Sequence, residues 1–558
     1  MKRAYITFLF SLFLIISYAA KCPKEVEKSR QAVASIIAYK NGKLLRSGTG
    51  VFVGEKGELF SSYSLFVGAD SAVAIDPSGK VRNVERLLGA NDIYDCIKVR
   101  VAWDKKISSL SITDRNYSVE ESLYLLAYGT KKSGTIEILP IKNIVTVSGT
   151  PYYTFSFSMQ ERYLSAPVVN SEGELVALMQ SAERNDTLNS YAISASFLEN
   201  MNITSLNFNS DIFRCIDIPC ALPDNKKDAL TCLHLHGLVH NEKYYMLLDD
   251  YLQMYPDSYE GYLLLAEKAI HLDKNISSAE MAWDKAVKYS STPDDVYYNK
   301  ANVLSSYALS FENDSASFVS LNDSALVCYD RAIAISAEPL YIYRKGLLLR
   351  ELKRFSEAFD CFDALATTNM RSADIFALAA TCKESLGDYD AAIAQLDSAI
   401  TSLGSVPVGE MAGYLWNRGF LKHRLGRYRE AVVDYNLFAT LKEGELSAHF
   451  FYIREQAEFE AKMFQQAMND INTAISLSPQ EVSYLVEKGR LCYRVNMPDE
   501  AIEVLNKVVE LNSEEPNAHY ILACCMLLKG NKESAKEHLL KAKELQHPSA
   551  DKKLKEIE

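Results

Sequence analysis

At 558 residues the chain is too long for one hydrophobic core, so two or more domains are expected. Its make-up, 48% apolar and 24% charged, is that of folded globular protein and not of a disordered or collagen-like chain. A formal charge of -12, with no run of five Lys or Arg, argues against a nucleic-acid partner, and the basic-aromatic stripe of a helix lying on a membrane is missing.

Residues 1–20 read as an export signal. Lys2 and Arg3 precede the almost wholly apolar stretch Ile6 to Ile16, and Ser17 and Ala19 give a small-x-small cleavage pattern. The stretch is short of the roughly 20 residues that a membrane span needs, so no integral span is expected after cleavage. An uncleaved anchor and a lipid-modified Cys22 are the alternatives, the second weakened by Lys21, where lipoprotein signals have a small residue. The expected location is exported, most simply periplasmic, with extracellular or membrane-anchored as variants.

From 25 to about 204 the chain is all-β in character. Short runs such as Ala34–Tyr39, Gly50–Val53, Leu59–Ser62, Ser122–Tyr128, Ile136–Val147 and Leu175–Gln180 alternate with Gly, Asn and Asp turns, the pattern of a barrel or sandwich. Residues 205–226 read as a linker containing Cys215 and Cys220 in CIDIPC, a candidate disulfide in an oxidising compartment. Most other cysteines fall in helical segments, where a small buried hydrophobe is the simple reading.

From 227 to 547 strand signals stop and a two-helix repeat takes over. Each unit has a small residue in its first helix, Gly346, Ala380, Gly419, Gly489 and Ala523, and an alanine twelve positions on, Ala358, Ala392, Ala431, Ala501 and Ala535. Two short antiparallel helices approach closely only where a side chain is small, and one pair cannot bury its apolar face alone, so neighbours stack. The step is 34 residues from 346 to 380 and from 489 to 523, and the unit between 419 and 489 is degenerate at Glu455. This period resembles the tetratricopeptide repeat. Eight or nine units are expected, starting near Asp228 and then near Tyr259, Asp294, Pro339, Ala373, Ala412, Ala448, Val482 and Pro516, with an exposed loop at about Leu309–Asp323. Residues 548–558 read as a charged helical tail. The resemblance implies a concave groove lined by the first helix of each pair, with Tyr298, Asn302, Tyr343, Arg350, Trp416, Arg490 and Tyr493 as candidate contacts for a protein or peptide partner.

Three motifs in the β region resemble the trypsin-like serine proteases of the bacterial Deg type. In SGTGVFVGEKGELFSSYSLFVGAD (47–70) the family's catalytic histidine falls on Ser64. In NDIYDCIKVRV (91–101) the catalytic aspartate falls on Asp95, a match. In RYLSAPVVNSEGELVAL (162–178), anchored on Pro167, the nucleophilic serine falls on Leu164 and the oxyanion-loop glycine on Arg162. A serine nucleophile needs a base within reach and an oxyanion hole. Ser64 is no base at neutral pH and Leu164 has no oxygen. Ser165 is one residue out of place, and the first histidine in the chain is His234. The resemblance therefore implies a trypsin-like double barrel without its chemistry, a pseudoprotease.

No phosphate-binding Gly loop, zinc spacing or cofactor motif occurs, and the cluster His234, His236, His240 lacks carboxylates to complete a metal site. The leading expectation is an all-β double barrel followed by an all-α solenoid, acting as an exported scaffold. The alternatives are a serine endopeptidase with a non-standard site whose repeats recruit substrate, and a chaperone-like assembly factor.

Overall fold

The computed structural model describes residues 22–102, 107–129, 135–147, 149–181, 188–237 and 242–557. The export-signal reading of residues 1–20 and the position of His240 lie outside them. The chain divides into two compact units, Met1–Ser290 and Ser291–Glu558.

The first unit opens with a short helix α1 (Lys24–Ser29) and then two closed six-stranded barrels. The first barrel contains β1 (Val33–Lys40), β2 (Lys43–Val53), β3 (Glu58–Ser61), β4 (Ser71–Ile75), β5 (Val81–Asn91) and β6 (Cys96–Val101), ordered β1-β2-β3-β6-β5-β4. The second contains β7 (Ser122–Leu126), β8 (Ile136–Val147), β9 (Thr150–Phe155), β10 (Pro167–Val169), β11 (Leu175–Met179) and β12 (Ser190–Ser194), ordered β10-β11-β12-β9-β8-β7. Antiparallel closure through β1–β4 and β10–β7 leaves neither sheet an open edge. Alternate residues of β1, Ala34, Ile36 and Ala38, point into the first barrel with Phe52, Leu59, Leu87 and Val99. Gly50 lets this core close: a Cβ there would lie 2.8 Å from Leu59 Cδ2 and 3.0 Å from Ile36 Cγ1. Val51, Phe60, Leu126, Val169, Leu175 and Ile193 form a shared core between the barrels.

The linker of residues 205–226 is docked along the first barrel. Phe208, Phe213, Ile216 and Ile218 are buried in the barrel's own core cluster. Backbone bonds tie the segment down, from Gly68 N to Cys215 O at 2.8 Å, Asp217 N to Ala69 O at 2.7 Å and Leu87 N to Pro219 O at 2.9 Å. Cys215 and Cys220 are not bridged; Cys215 Sγ lies 2.9 Å from the Tyr63 hydroxyl and donates to Ile212 O at 3.2 Å. Two helical hairpins follow in the same unit, α4/α5 (Lys226–Gly237, Glu242–Met254) and α6/α7 (Tyr259–His271, Ile276–Tyr289), after short helices α2 (Ala195–Glu199) and α3 (Asp211–Arg214). Leu233, Leu247, Leu248 and Tyr251 join the core of the first barrel, and Arg86 clamps Asp250 with 2.9 and 3.1 Å bonds.

The second unit is a stack of two-helix repeats: α8/α9 (Pro293–Ala308, Ser315–Ile335), α10/α11 (Pro339–Glu351, Phe355–Leu365), α12/α13 (Ala373–Ser385, Tyr389–Ser402), α14/α15 (Ala412–Arg424, Tyr428–Leu441), α16/α17 (Ala448–Glu460, Phe464–Leu477), α18/α19 (Val482–Arg494, Pro498–Leu511) and α20/α21 (Pro516–Leu528, Lys532–Glu544), ending in α22 (Ala550–Ile557). Side-chain caps such as Ser372, Asp388, Ser447 and Asn531, and prolines 293, 339, 498 and 516 at first-turn positions, start the helices. The small residues sit at the crossings: a Cβ on Gly346 would lie 2.9 Å from the Phe362 ring, on Gly419 2.9 Å from the Tyr435 ring, and on Gly489 2.5 Å from Leu505. In every case the facing side chain is sixteen residues on. The expected loop at 309–323 is different: beyond a 3-10 turn at Leu309–Phe311, residues from Ser315 belong to the 21-residue helix α9. Asp314 caps it, accepting from Ser317 N and Oγ, and this overrides the weak helix preference of its Ser and Asn residues. Among the described residues no helix is long and apolar enough to cross a membrane. The molecule is thus a trypsin-like double barrel followed by a tetratricopeptide-type solenoid.

Candidate functional sites: an altered protease cleft and a helical groove

Strand β3 ends at Ser61 and runs into a 3-10 turn, Tyr63–Leu65, while Asp95 sits at φ 43 immediately before β6. This brings Ser64 and Asp95 together. Ser64 N donates to Asp95 Oδ1 at 2.6 Å and Ser64 Oγ to Oδ2 at 3.0 Å. A second hydroxyl, that of buried Ser62, also donates to Asp95 Oδ2 and lies 2.9 Å from Ser64 Oγ. The turn is held from the other side by Arg46, whose Nη1 donates to Ser64 O at 2.7 Å and Val67 O at 2.8 Å. The carboxylate that would orient a histidine is engaged instead by one amide and two hydroxyls. Sequence reasoning missed Ser62; the only signal for it was its place two residues before Ser64 at the end of an apolar strand. Next to the turn, burial first and then the bond to Cys215 push the Tyr63 hydroxyl well above its ordinary value.

In the second half of the cleft the backbone N–H groups around Leu164 are engaged within the chain. A 3-10 turn at Glu161–Tyr163 precedes Leu164, which is half-buried with extended φ -61 and ψ 129. An oxyanion hole needs N–H groups aimed at the reacting carbonyl. Here Leu164 N donates to Glu161 O at 3.1 Å, Ser165 N to Met179 O at 3.0 Å and Ala166 N to Tyr163 O at 3.0 Å. Ser165 has φ 59 and only 2% exposure. Arg162 is exposed; its guanidinium lies 4.7 Å from the centre of the Tyr163 ring and donates to the Tyr163 hydroxyl at 2.7 Å, and that hydroxyl donates to Glu137 at 3.1 Å.

The groove candidates divide into two sets. Tyr298 stacks on Tyr341 with centroids 4.7 Å apart, and Asn302 accepts from the Tyr329 hydroxyl at 2.8 Å while donating to Tyr298 O at 2.9 Å. Arg490 lies 3.7 Å over the Phe459 ring and pairs with Glu487 at 2.5 Å, and Tyr493 packs in the core of the last repeats, with burial raising its hydroxyl. These four build the repeats. Tyr343 and Arg350 are the less engaged set, and Trp416 belongs to both, its ring packing on Tyr435, Phe438 and Phe450 at 5.3, 5.4 and 6.0 Å. Tyr343 and Arg350 are half-buried on α10, and among the described residues the Arg350 guanidinium has no hydrogen bond or ion pair. Trp416 lines a cavity of about 360 Å³ with Phe438, Leu446, Phe450, Lys442 and His449. This cavity lies beside the 442–447 loop, where the spacing of crossing positions, 419 to 455, exceeds 34. His234 bonds back to Leu230 O at 2.8 Å, and among the described residues no three His, Cys, Asp or Glu side chains are placed to hold a metal.

A tetratricopeptide-repeat family model matches residues 482–515. Among curated proteins none matches this chain in sequence. Among solved structures, the active form of the Rv3671c protease of M. tuberculosis is similar to it at 13% identity and a TM-score of 0.28, covering 32% of this chain and 82% of that one. A serine endoprotease of Yersinia pestis is similar at 15% identity and a TM-score of 0.28, over 32% of this chain and 63% of that one.

Proposed function

We propose that this protein is an exported scaffold, periplasmic in the simplest case, in which a catalytically silent trypsin-like domain accompanies a solenoid that holds a protein or peptide partner. The observation that carries the reading is the cleft: Ser64 stands against Asp95 where a base is required, Leu164 offers no nucleophile, and the Leu164 N–H is turned inward. Removing one member of a serine-protease triad already costs several orders of magnitude in rate. Two members are absent here, and no histidine precedes His234. Tetratricopeptide repeats speak for protein binding, and the groove retains an open aromatic cavity at Trp416 and an arginine, Arg350, without an ion-pair partner among the described residues.

The test is capture from the native host after light cross-linking, with the full chain compared with Trp416→Ala and Arg350→Glu variants. A small stoichiometric set of partners that both variants lose supports the scaffold reading. Capture unchanged in both moves the binding function to the barrels, and capture of many unfolded chains supports an assembly factor instead. Truncation at residue 227 is a poor alternative, because it strips Leu233, Leu247 and Tyr251 from the barrel's core.

A further inference from the structure

Glu455 departs from the rule that the other repeats keep. On α16 it occupies the crossing position held elsewhere by Gly346, Ala380, Gly419, Gly489 and Ala523, and it is 0% exposed. Among the described residues neither carboxyl oxygen has a hydrogen-bond partner. Three residues on, Glu458 is 3% exposed and its Oε2 is also without a partner, while Oε1 lies 3.9 Å from Arg454 Nε. The residue facing the crossing, sixteen positions after Glu455, is Ile471, where the other repeats carry Phe362, Leu396, Tyr435, Leu505 and Leu539. An aliphatic side chain there offers no polar group for the acid's head. An ionised carboxylate in such a place loses its hydration and gains nothing in return, so it must find a counter-charge or keep its proton.

The surrounding charges do not supply a free counter-ion. From α16 itself come Glu458 and Arg454, from α17 Asp470, and from α18 Glu487 and Arg490. From α15 the neutral amide of Asn436 accepts from Arg454 at 3.0 Å. Arg454 is committed to Asp470 by two bonds of 2.6 and 2.8 Å, and Arg490 to Glu487 and to the face of Phe459. The nearby tyrosines Tyr452 and Tyr484, with centroids 4.9 Å apart, have hydroxyls raised by burial and stay neutral. Burial, reinforced by Glu487, pushes the Glu455 carboxyl up to about 8, and burial with Asp470 pushes Glu458 up to about 8.

We propose that Glu455 is carried as the neutral acid in the folded repeat and that its ionisation loosens α16 from α17 and α18, making this repeat a proton-sensitive hinge of the solenoid. An opened repeat exposes an ordinary carboxyl, near 4.5, in place of one near 8. Opening therefore releases a proton between those values, and its equilibrium constant grows about tenfold per pH unit for each such carboxyl. Lower pH tightens the repeat and higher pH loosens it.

Hydrogen–deuterium exchange on the full chain tests this. Amides of α16 and α17 are compared with those of α10 and α11 in the same sample, corrected for intrinsic rates, at about pH 5.5 and about pH 7.5. The expected result is that α16–α17 protection falls about 100-fold or more relative to α10–α11. Glu455→Gln removes about a factor of ten per pH unit from that slope, and Glu455→Gln with Glu458→Gln abolishes it. A wild-type α16–α17 slope equal to that of α10–α11, or a slope unchanged by Glu455→Gln, overturns the proposal. Should the glutamine variants fail to fold, Glu455→Ala, which installs the residue found at 380 and 523, serves with a second readout. Wild type then shows infrared intensity of protonated carboxyls at neutral pH, of which Glu455→Ala loses a part and Glu458 keeps the rest, and an equal intensity in the two proteins, or none in wild type, also overturns the proposal.

Discussion

The barrels and the helical stack differ in how closely fold and function share residues. In the barrels the two sets are separate: Gly50, Phe52 and Leu59 hold the first barrel together, while Ser64, Leu164 and Arg162, the positions singled out by motif, lie outside its hydrophobic core. In the repeats the packing contacts and the expected partner contacts fall on one helix face. Tyr298, Asn302 and Arg490 are on a face expected to meet a partner, yet Tyr298 stacks on Tyr341 of the next repeat, Arg490 lies over Phe459 of the preceding one, and Asn302 is bonded to Tyr329 within its own repeat. A motif match alone therefore says more about the barrels' shape than about their activity, and in the solenoid only atomic contacts separate binding residues from packing residues.

This contrast can be broken or sharpened by substitution. The largest effect is expected from Asp434→Ala. Asp434 is 1% exposed and binds Arg418 at 2.5 and 3.0 Å and Lys422 at 3.0 Å, all three side chains being well buried. Its removal leaves Arg418 with only Asp397 at 2.6 Å and Lys422 with only Glu430 at 4.0 Å, and should destabilise the solenoid by about 3 kcal/mol in denaturant unfolding. Next comes Gly419→Val, which drives a side chain into Tyr435 and should cost about 1–3 kcal/mol or more. In the barrels Asp95→Ala deprives the Ser62 and Ser64 hydroxyls and the Ser64 amide of their acceptor; a loss of about 1–3 kcal/mol is expected in barrel unfolding, with solenoid unfolding unaffected. Smallest is Ser447→Ala, which removes the side-chain cap of α16 at a cost of about 1 kcal/mol.

The pH dependence of the solenoid follows from the same crossing. Glu455 and Glu458 have raised carboxyls in the fold, so the folded state binds more protons than the unfolded state between about 4.5 and about 8. Stability from these two groups is greatest at the acid end of that window, declines as pH rises through it and levels off above it. Thermal unfolding of wild type and Glu455→Ala from acid to mildly alkaline pH should show the variant with the shallower decline.

The repeats were legible because their physics is periodic. A small residue, then an alanine twelve on, is imposed by helices that touch, so Gly346, Gly419 and Gly489 are visible without coordinates. Composition misled where it outweighed capping: Ser315–Asp323 reads as a loop, but Asp314 starts a helix there and Asn322 is buried within it. The docking of residues 205–226 was not readable, since Phe208, Phe213, Ile216 and Ile218 follow no period and meet the barrel only in three dimensions. In the cleft, Ser64, Asp95 and Leu164 could be placed by motif, but the inward turn of the Leu164 amide and the part played by Ser62 depend on backbone geometry. Glu455 stood out in sequence as a break in the pattern; that its carboxyl has no partner is a matter of atoms.

The central claim, a protease fold without a working nucleophile, is met most directly by labelling the full chain with a serine-reactive fluorophosphonate probe beside its Ser165→Ala variant. The account predicts no labelling above background in either protein. Labelling of wild type that disappears in Ser165→Ala would contradict it and make the double barrel an enzyme.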